Sequence, residues 1–188
     1  MRRVVVPALM ISLLLCGCGS GKSCSELVND RRAKLGEAGA FAFTAEVTAD
    51  LGDEEFSCVL RCENAPEGVS VSVLKPKELA GVEALISPDG ETADFDGVTL
   101  CLPVGESGVP PLSAMAYIAD ALTSAHLTEA YRLSGADKEY IAAETYLGET
   151  QSITVLYAMP ELTPECAELV SGGSAVIRCS LSDFSQQE

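Results

Sequence analysis

From position 40 onward the chain alternates. Phe41, Phe43, Ala45, Val47 and Ala49 are interleaved with Thr44, Glu46 and Thr48, the period of a strand with one face in a core and the other in water. Phe56, Cys58, Leu60 and Cys62 repeat the pattern against Ser57, Arg61 and Glu63, and Val69, Val71 and Val73 repeat it after the turn Pro66-Glu67-Gly68. Shorter segments follow at 82–86, 91–95 and 98–102, punctuated by Ser87-Pro88-Asp89-Gly90 and Asp96-Gly97. Strands this short, joined by turns this tight, predict an antiparallel meander.

Two stretches have the period of a helix instead. Ser23-Cys24-Ser25-Glu26 carries the capping-box spacing, in which Ser23 and Glu26 satisfy each other's backbone N–H groups. Cys24, Leu27, Val28 and Leu35 then share a face, interrupted by Arg31, and predict a helix over 24–37 that Gly36 and Gly39 end. The second helix starts at Pro110-Pro111, where the missing donors cost nothing, and runs to about position 125 through Leu112, Met115, Ala119 and Leu122. Five more strands are expected at 127–133, 139–146, 151–158, 164–170 and 175–181, with a polar tail over 185–188 that frays. A helix, six strands, a second helix and five strands predict one α+β domain over 24–188.

What precedes the domain has a different character. Met1-Arg2-Arg3 is followed by an apolar run over 4–15, too short to span a bilayer and patterned like a secretion signal. Leu15-Cys16-Gly17-Cys18 resembles the lipobox of bacterial lipoproteins. That resemblance implies a signal peptide over 1–17, cleavage before Cys18, and a tether over 18–23 carrying diacylglycerol and a further acyl chain such as palmitate on Cys18. Cys16 is the weaker acceptor, because it would place Leu15 beside the cut where a small residue is required. Gly21-Lys22-Ser23 also ends like a phosphate loop, but the first glycine of that pattern would fall on Cys16. No nucleotide is expected.

Charge narrows the partners. The net charge of −16 becomes −18 once Arg2 and Arg3 leave with the signal, and Arg31-Arg32 is the only basic cluster. Nucleic acid needs a basic patch, so none is expected to bind. The same charge repels anionic lipid headgroups, which leaves membrane attachment to the acyl chains.

Chemistry-bearing motifs are absent from the sequence. The single histidine, His126, stands where a helix C-terminus favours it; no nucleophile elbow occurs, and the acids are scattered over turns and strand exteriors. Asp94-Phe95-Asp96-Gly97 lacks calcium-loop spacing, and Cys58 and Cys62 have no nearby partner pair for zinc. The expectation is a protein that is not an enzyme and holds no metal or cofactor.

Six cysteines remain beyond Cys18, an even number outside the cytoplasm, and they are open to two readings: disulfides or six free thiols. Ser171-Gly172-Gly173-Ser174 suits a two-residue hairpin turn. An unbroken ladder from that turn would set Cys166 opposite Cys179 with Cα atoms about 4.5 Å apart, within reach of a bridge. Cys58 and Cys62 stand about 13 Å apart along one strand, so oxidation would join them to Cys24 and Cys101 in either order.

The order of elements, together with the lipobox, resembles the LolA/LolB lipoprotein carriers, a fold shared by the lipoproteins LppX and GerS. The resemblance covers roughly residues 25–184. It implies a strongly curved antiparallel sheet of about eleven strands, an open half-barrel whose concave face the N-terminal and inserted helices cover. It further implies a lipid or other hydrophobic ligand on that face, with Phe41, Phe43, Phe56, Leu60, Val71 and Val73 as lining candidates. The other reading is a module tethered outside the cytoplasm on the cell membrane, whose acidic surface engages an envelope protein, such as a cell-wall or germination enzyme that it positions or activates.

Overall fold

The computed structural model describes residues 21–50, 55–87, 90–95, 98–101 and 109–187. The expected signal peptide, Cys16 and the expected acylation site Cys18 lie outside the described residues. Helix α1 (Cys24–Glu37) leads into β1 (Ala40–Asp50), β2 (Glu55–Ala65), β3 (Gly68–Lys75), β4 (Glu83–Ser87), β5 (Gly90–Phe95) and β6 (Val98–Cys101). After α2 (Pro111–Ala121) come β7 (Glu129–Ser134), β8 (Glu139–Tyr146), β9 (Gln151–Ala158), β10 (Thr163–Ser171) and β11 (Ser174–Gln187).

All eleven strands join one sheet in the order β6-β5-β4-β3-β2-β1-β11-β10-β9-β8-β7. Each half is a meander, and the two halves are stitched where β1 pairs antiparallel with β11. The fold is therefore α+β with a single large antiparallel sheet, as the periodicity predicts.

Curvature follows from where α2 lies. It packs on β2, β3 and β4, and also on β9. In the sheet β3 and β9 are five strand spacings apart, about 24 Å on a flat sheet at ~4.8 Å per step, whereas a helix with its side chains is only about 10–12 Å wide. Even laid across the strands, the 11 residues of α2 reach only about 16 Å, so contact with both points to a sheet that wraps around it. Irregularities in the ladder supply the bend, since each extra residue kinks its strand. They fall at Val59/Leu60, Pro164/Cys166, Leu169/Val170 and Ala42/Thr44. At the last, Asp183 and Phe184 oppose Phe43 alone, with Asp183 at φ 51.

Several boundaries follow the sequence closely. Ser23 caps α1 by accepting from the Glu26 N–H at 3.2 Å, while the Ser23 N–H donates to Glu26 Oε2 at 2.7 Å. Helix α2 stops at Ala121, short of the expected 125: the N–H groups of Thr123, Ser124 and Ala125 all turn back to the Asp120 carbonyl. The tail does not fray as expected. Gln186 and Gln187 pair with Phe41 and Ala40, so β11 continues through the polar residues on backbone bonds. Gly68, at φ +143, lies so close to β4 that a Cβ there would meet the Ile86 carbonyl oxygen at 2.5 Å, which only glycine tolerates.

The cysteine pairing is overturned. Gly172 and Gly173, at φ +59 and +84, form the expected two-residue turn, and Ser171 pairs with Ser174. Val176 then enters the ladder as an extra residue, so Leu169 pairs with Ile177, Ala167 with Cys179, and Cys166 with Ser180. Directly opposed residues share a face and neighbours alternate, so Cys166 and Cys179 point to opposite sides of the sheet. Cys24, Cys58, Cys62, Cys166 and Cys179 are all free thiols.

Candidate ligand-binding face

The sheet register gathers the expected lining residues into rows. Phe43 pairs with Cys62, Cys62 with Val71 and Val71 with Ala84; one row away, Ala45 pairs with Leu60 and Leu60 with Val73. Because opposed residues share a face, Phe41, Phe43, Leu60, Val71 and Val73 all point toward α2. Phe43 stacks between Phe41, with ring centroids 6.2 Å apart, and Phe184 at 5.5 Å. Phe56, opposite Ala49 near the start of β2, is half-buried against the same cluster.

These side chains belong to one buried cluster with the helix. Phe41, Phe43, Leu60 and Val71 are at most 1 % exposed, and Met115 and Ile118 of α2 and Leu122 at its C-cap are equally buried in the same cluster. Among the described residues the side chains of the concave face are buried with those of α2, and two grooves lie at the rim. Two grooves flank the C-terminal end of α2 and share Thr123 and Ser124. The first, about 370 Å³, runs between α2 and the β2–β4 limb past Val69, Ile86 and the exposed Tyr117. The second, about 330 Å³, opens between α1 and the segment after α2, past Asn29, Arg32, Ala125 and His126.

Polar groups in the interior concentrate on the α1 side. Val28, Arg32 and Leu35 form the buried stripe of α1, and Arg32 is only 4 % exposed. Arg31, expected to interrupt this face, stands beside it; the spacing of four from Val28 puts Arg32 there instead. The Arg32 guanidinium donates through Nη2 to the Ala125 carbonyl just beyond α2. Its Nε has no partner, nor does Arg31 Nε, nor the hydroxyl of the fully buried Tyr157 on β9. Burial pushes the Tyr157 phenol well above its ordinary pKa, although Arg32 and Arg31 pull the other way. Among the described residues no carboxylate stands within ion-pair distance of Arg32.

The thiols of Cys58, Cys62 and Cys179 are insulated. Burial raises Cys58 to about 11 and Cys179 to about 12, and drives Cys62 higher still. Among the described residues no group of three His, Cys, Asp or Glu side chains could hold a metal. The N-terminus of α1 is occupied by its own acid: Glu26 accepts from the Ser23 N–H, which holds its carboxyl below the usual range, and Lys22 is engaged by Asp30.

No family model matches this sequence and no curated protein sequence is similar to it. Solved structures are similar in fold. A LolA superfamily protein from Nitrosomonas europaea superposes with a TM-score of 0.53 at 11% identity, over 89% of this chain and 95% of that one. A putative outer membrane lipoprotein-sorting protein domain from Vibrio parahaemolyticus gives 0.49 at 12% identity, over 86% and 91%. The Mycobacterium tuberculosis lipoprotein LppX gives 0.41 at 9% identity, over 88% and 98%. The first of these carries the assignment: the fold is LolA-like. Among the described residues no helix is long and apolar enough to cross a membrane.

Proposed function

We propose that this chain is a non-enzymatic lipoprotein of the bacterial cell envelope that binds a hydrophobic ligand between its curved sheet and α2. The carrying observation is the position of α2, which plugs the concave face with Met115, Ile118 and Leu122 while contacting both limbs of the sheet. A single short helix holds the apolar rows of β1–β3 away from water, and the rim grooves at its C-terminal end reach that seam. The lining residues on this reading are Phe41, Phe43, Phe56, Leu60, Val71 and Val73. The chain begins as a signal over 1–17 and is anchored outside the cytoplasm by acylated Cys18, through the tether over 18–23.

Two experiments test this. Organic extraction of the purified protein followed by mass spectrometry should release a stoichiometric lipid, and an empty extract counts against the ligand. Cys18→Ala should abolish acylation and release the protein from the membrane fraction; unchanged membrane partitioning removes the anchor.

A second reading has its own observation. Tyr131 and Leu133 on the edge strand β7 and Tyr146 on β8 are exposed and share the outer face of the sheet. On a chain of charge −16 such an aromatic edge suits a basic envelope protein. Cross-linking from that edge in membranes distinguishes it from ligand binding in the interior.

A further inference from the structure

From the groove beside α1 we infer a second specificity element: an anionic oxygen group, carboxylate or phosphate, bound by the Arg32 guanidinium as the head of the hydrophobic ligand. This rests on the reading above for the tail of the ligand, but not for its head.

Arginine presents five N–H donors and no acceptor. Arg32 gives one bond to the Ala125 carbonyl, leaves Nε unpartnered, and has no carboxylate at ion-pair distance among the described residues. Burying a cation without a counter-charge is costly. Apolar residues at this point of the α1 stripe would pack as well, since Val28 and Leu35 stand one turn either side. A guanidinium with an unpartnered Nε, on a side chain that lines a groove of about 330 Å³, is instead suited to an oxygen acceptor, and an ionised one makes the stronger bond. Asn29 and His126 face the same groove and add polar edges to it.

The charge of the whole chain selects the source of that anion. At −16 the protein's field disfavours small free anions, so Arg32 must act on an anion that other contacts hold in place. Those contacts lie past Thr123 and Ser124, where the neighbouring groove offers Val69, Ile86 and Tyr117 to an acyl chain. An amphiphile with an ionised head therefore fits both grooves at once.

Titrating the purified full-length chain with oleate, oleyl alcohol and inorganic phosphate separates head from tail. At a pH where oleate is ionised, oleate should bind about tenfold more tightly than oleyl alcohol, the scale of one charge-assisted contact. Arg32→Gln should bring oleate down to the level of the alcohol without changing the alcohol. Arg32→Lys, which keeps the charge and loses the fork, should fall between them. If the glutamine variant does not fold, the comparison of the two ligands on the unmodified protein still decides. Equal binding of oleate and oleyl alcohol overturns the anion site and leaves the hydrophobic-ligand reading standing. Phosphate binding that disappears in Arg32→Gln, with neither chain compound bound, upholds the anion site with a free anion as its source and removes the hydrophobic tail. No binding of any probe overturns both.

Discussion

The two limbs of the sheet that embrace α2 are built differently. On the β1–β3 limb the rows facing the helix are apolar but for Asn64 at the rim, one running from Phe43 through Cys62 and Val71 to Ala84, and the aromatic rings stack. On the β7–β9 limb, covered by α1, the interior includes Arg32, Thr145 and the Tyr157 hydroxyl beside Ile141 and Ile153. Two of those polar side chains have donors or a hydroxyl left unpaired. An interior polar atom without a partner costs about 1–3 kcal/mol. The first limb is organised to hold the fold together, and the second gives up stability at the place where a ligand head would restore it.

The largest effect that would sharpen this contrast is expected from Phe43→Ala. The ring is fully buried between Phe41 and Phe184, so its loss should cost about 3–5 kcal/mol in urea unfolding. A cost near 1 kcal/mol would mean that the apolar limb is loosely packed.

Alkaline pH should strike the same limb and its seam. Cys58 and Cys62 on β2 and Cys179 on β11 have folded-state pKa values raised by burial, the first and last to about 11 and 12 from an unfolded value of 9.0. The unfolded chain therefore releases these protons first. The contribution is fully present below about pH 9 and is lost as pH climbs toward the folded values, at roughly 1.4 kcal/mol per pH unit for each thiol. Unfolding curves across that window should show the decline, and Cys62→Ala should make it shallower. A flat profile would mean that the thiols reach water.

On the other limb the sign of a substitution should reverse. Tyr157→Phe removes a hydroxyl without a partner and should raise stability of the ligand-free protein by about 1–2 kcal/mol. A loss of that size would show that the hydroxyl is satisfied in solution, and the distinction between the limbs would weaken.

The smallest effect is at the start of α1. Ser23→Ala removes the cap on Glu26 N–H and should cost about 1 kcal/mol, read as a lower thermal midpoint. Since α1 covers β7 and β8, the loss should appear as faster amide exchange there than on β1–β3.

Much of this architecture was written in residue periodicity. Alternation in Phe41–Phe43–Ala45–Val47 and its two counterparts located β1–β3, because a side chain's face in a sheet is decided by odd or even position alone, and short segments between turns placed the other strands. The capping box set the start of α1, and Gly172-Gly173 set the last hairpin turn, because both are contacts between neighbours in the chain. The buried arginine was also within reach: position 32 is four residues after Val28 and three before Leu35, the spacing of one helical face.

Other features depend on residues far apart. Val176 enters the ladder as an extra residue because β11 must bend to serve both β10 and β1, and a bend demanded by two partners leaves no mark in a local pattern. That single residue turned Cys166 away from Cys179. The polar tail became strand because Ala40 and Phe41 offered backbone partners to Gln187 and Gln186, bonds that ignore side-chain character. Whether Phe41 and Phe43 line a cavity or fill a core rested on where α2 lies, and the isolation of Arg32 on which acids come near it. The sequence by itself determined the elements and their buried faces, since those follow from steric period and local hydrogen bonding. Only the tertiary structure decided curvature, register beyond each turn and the pairing of buried charge, since these are set by the simultaneous packing of segments distant in the chain.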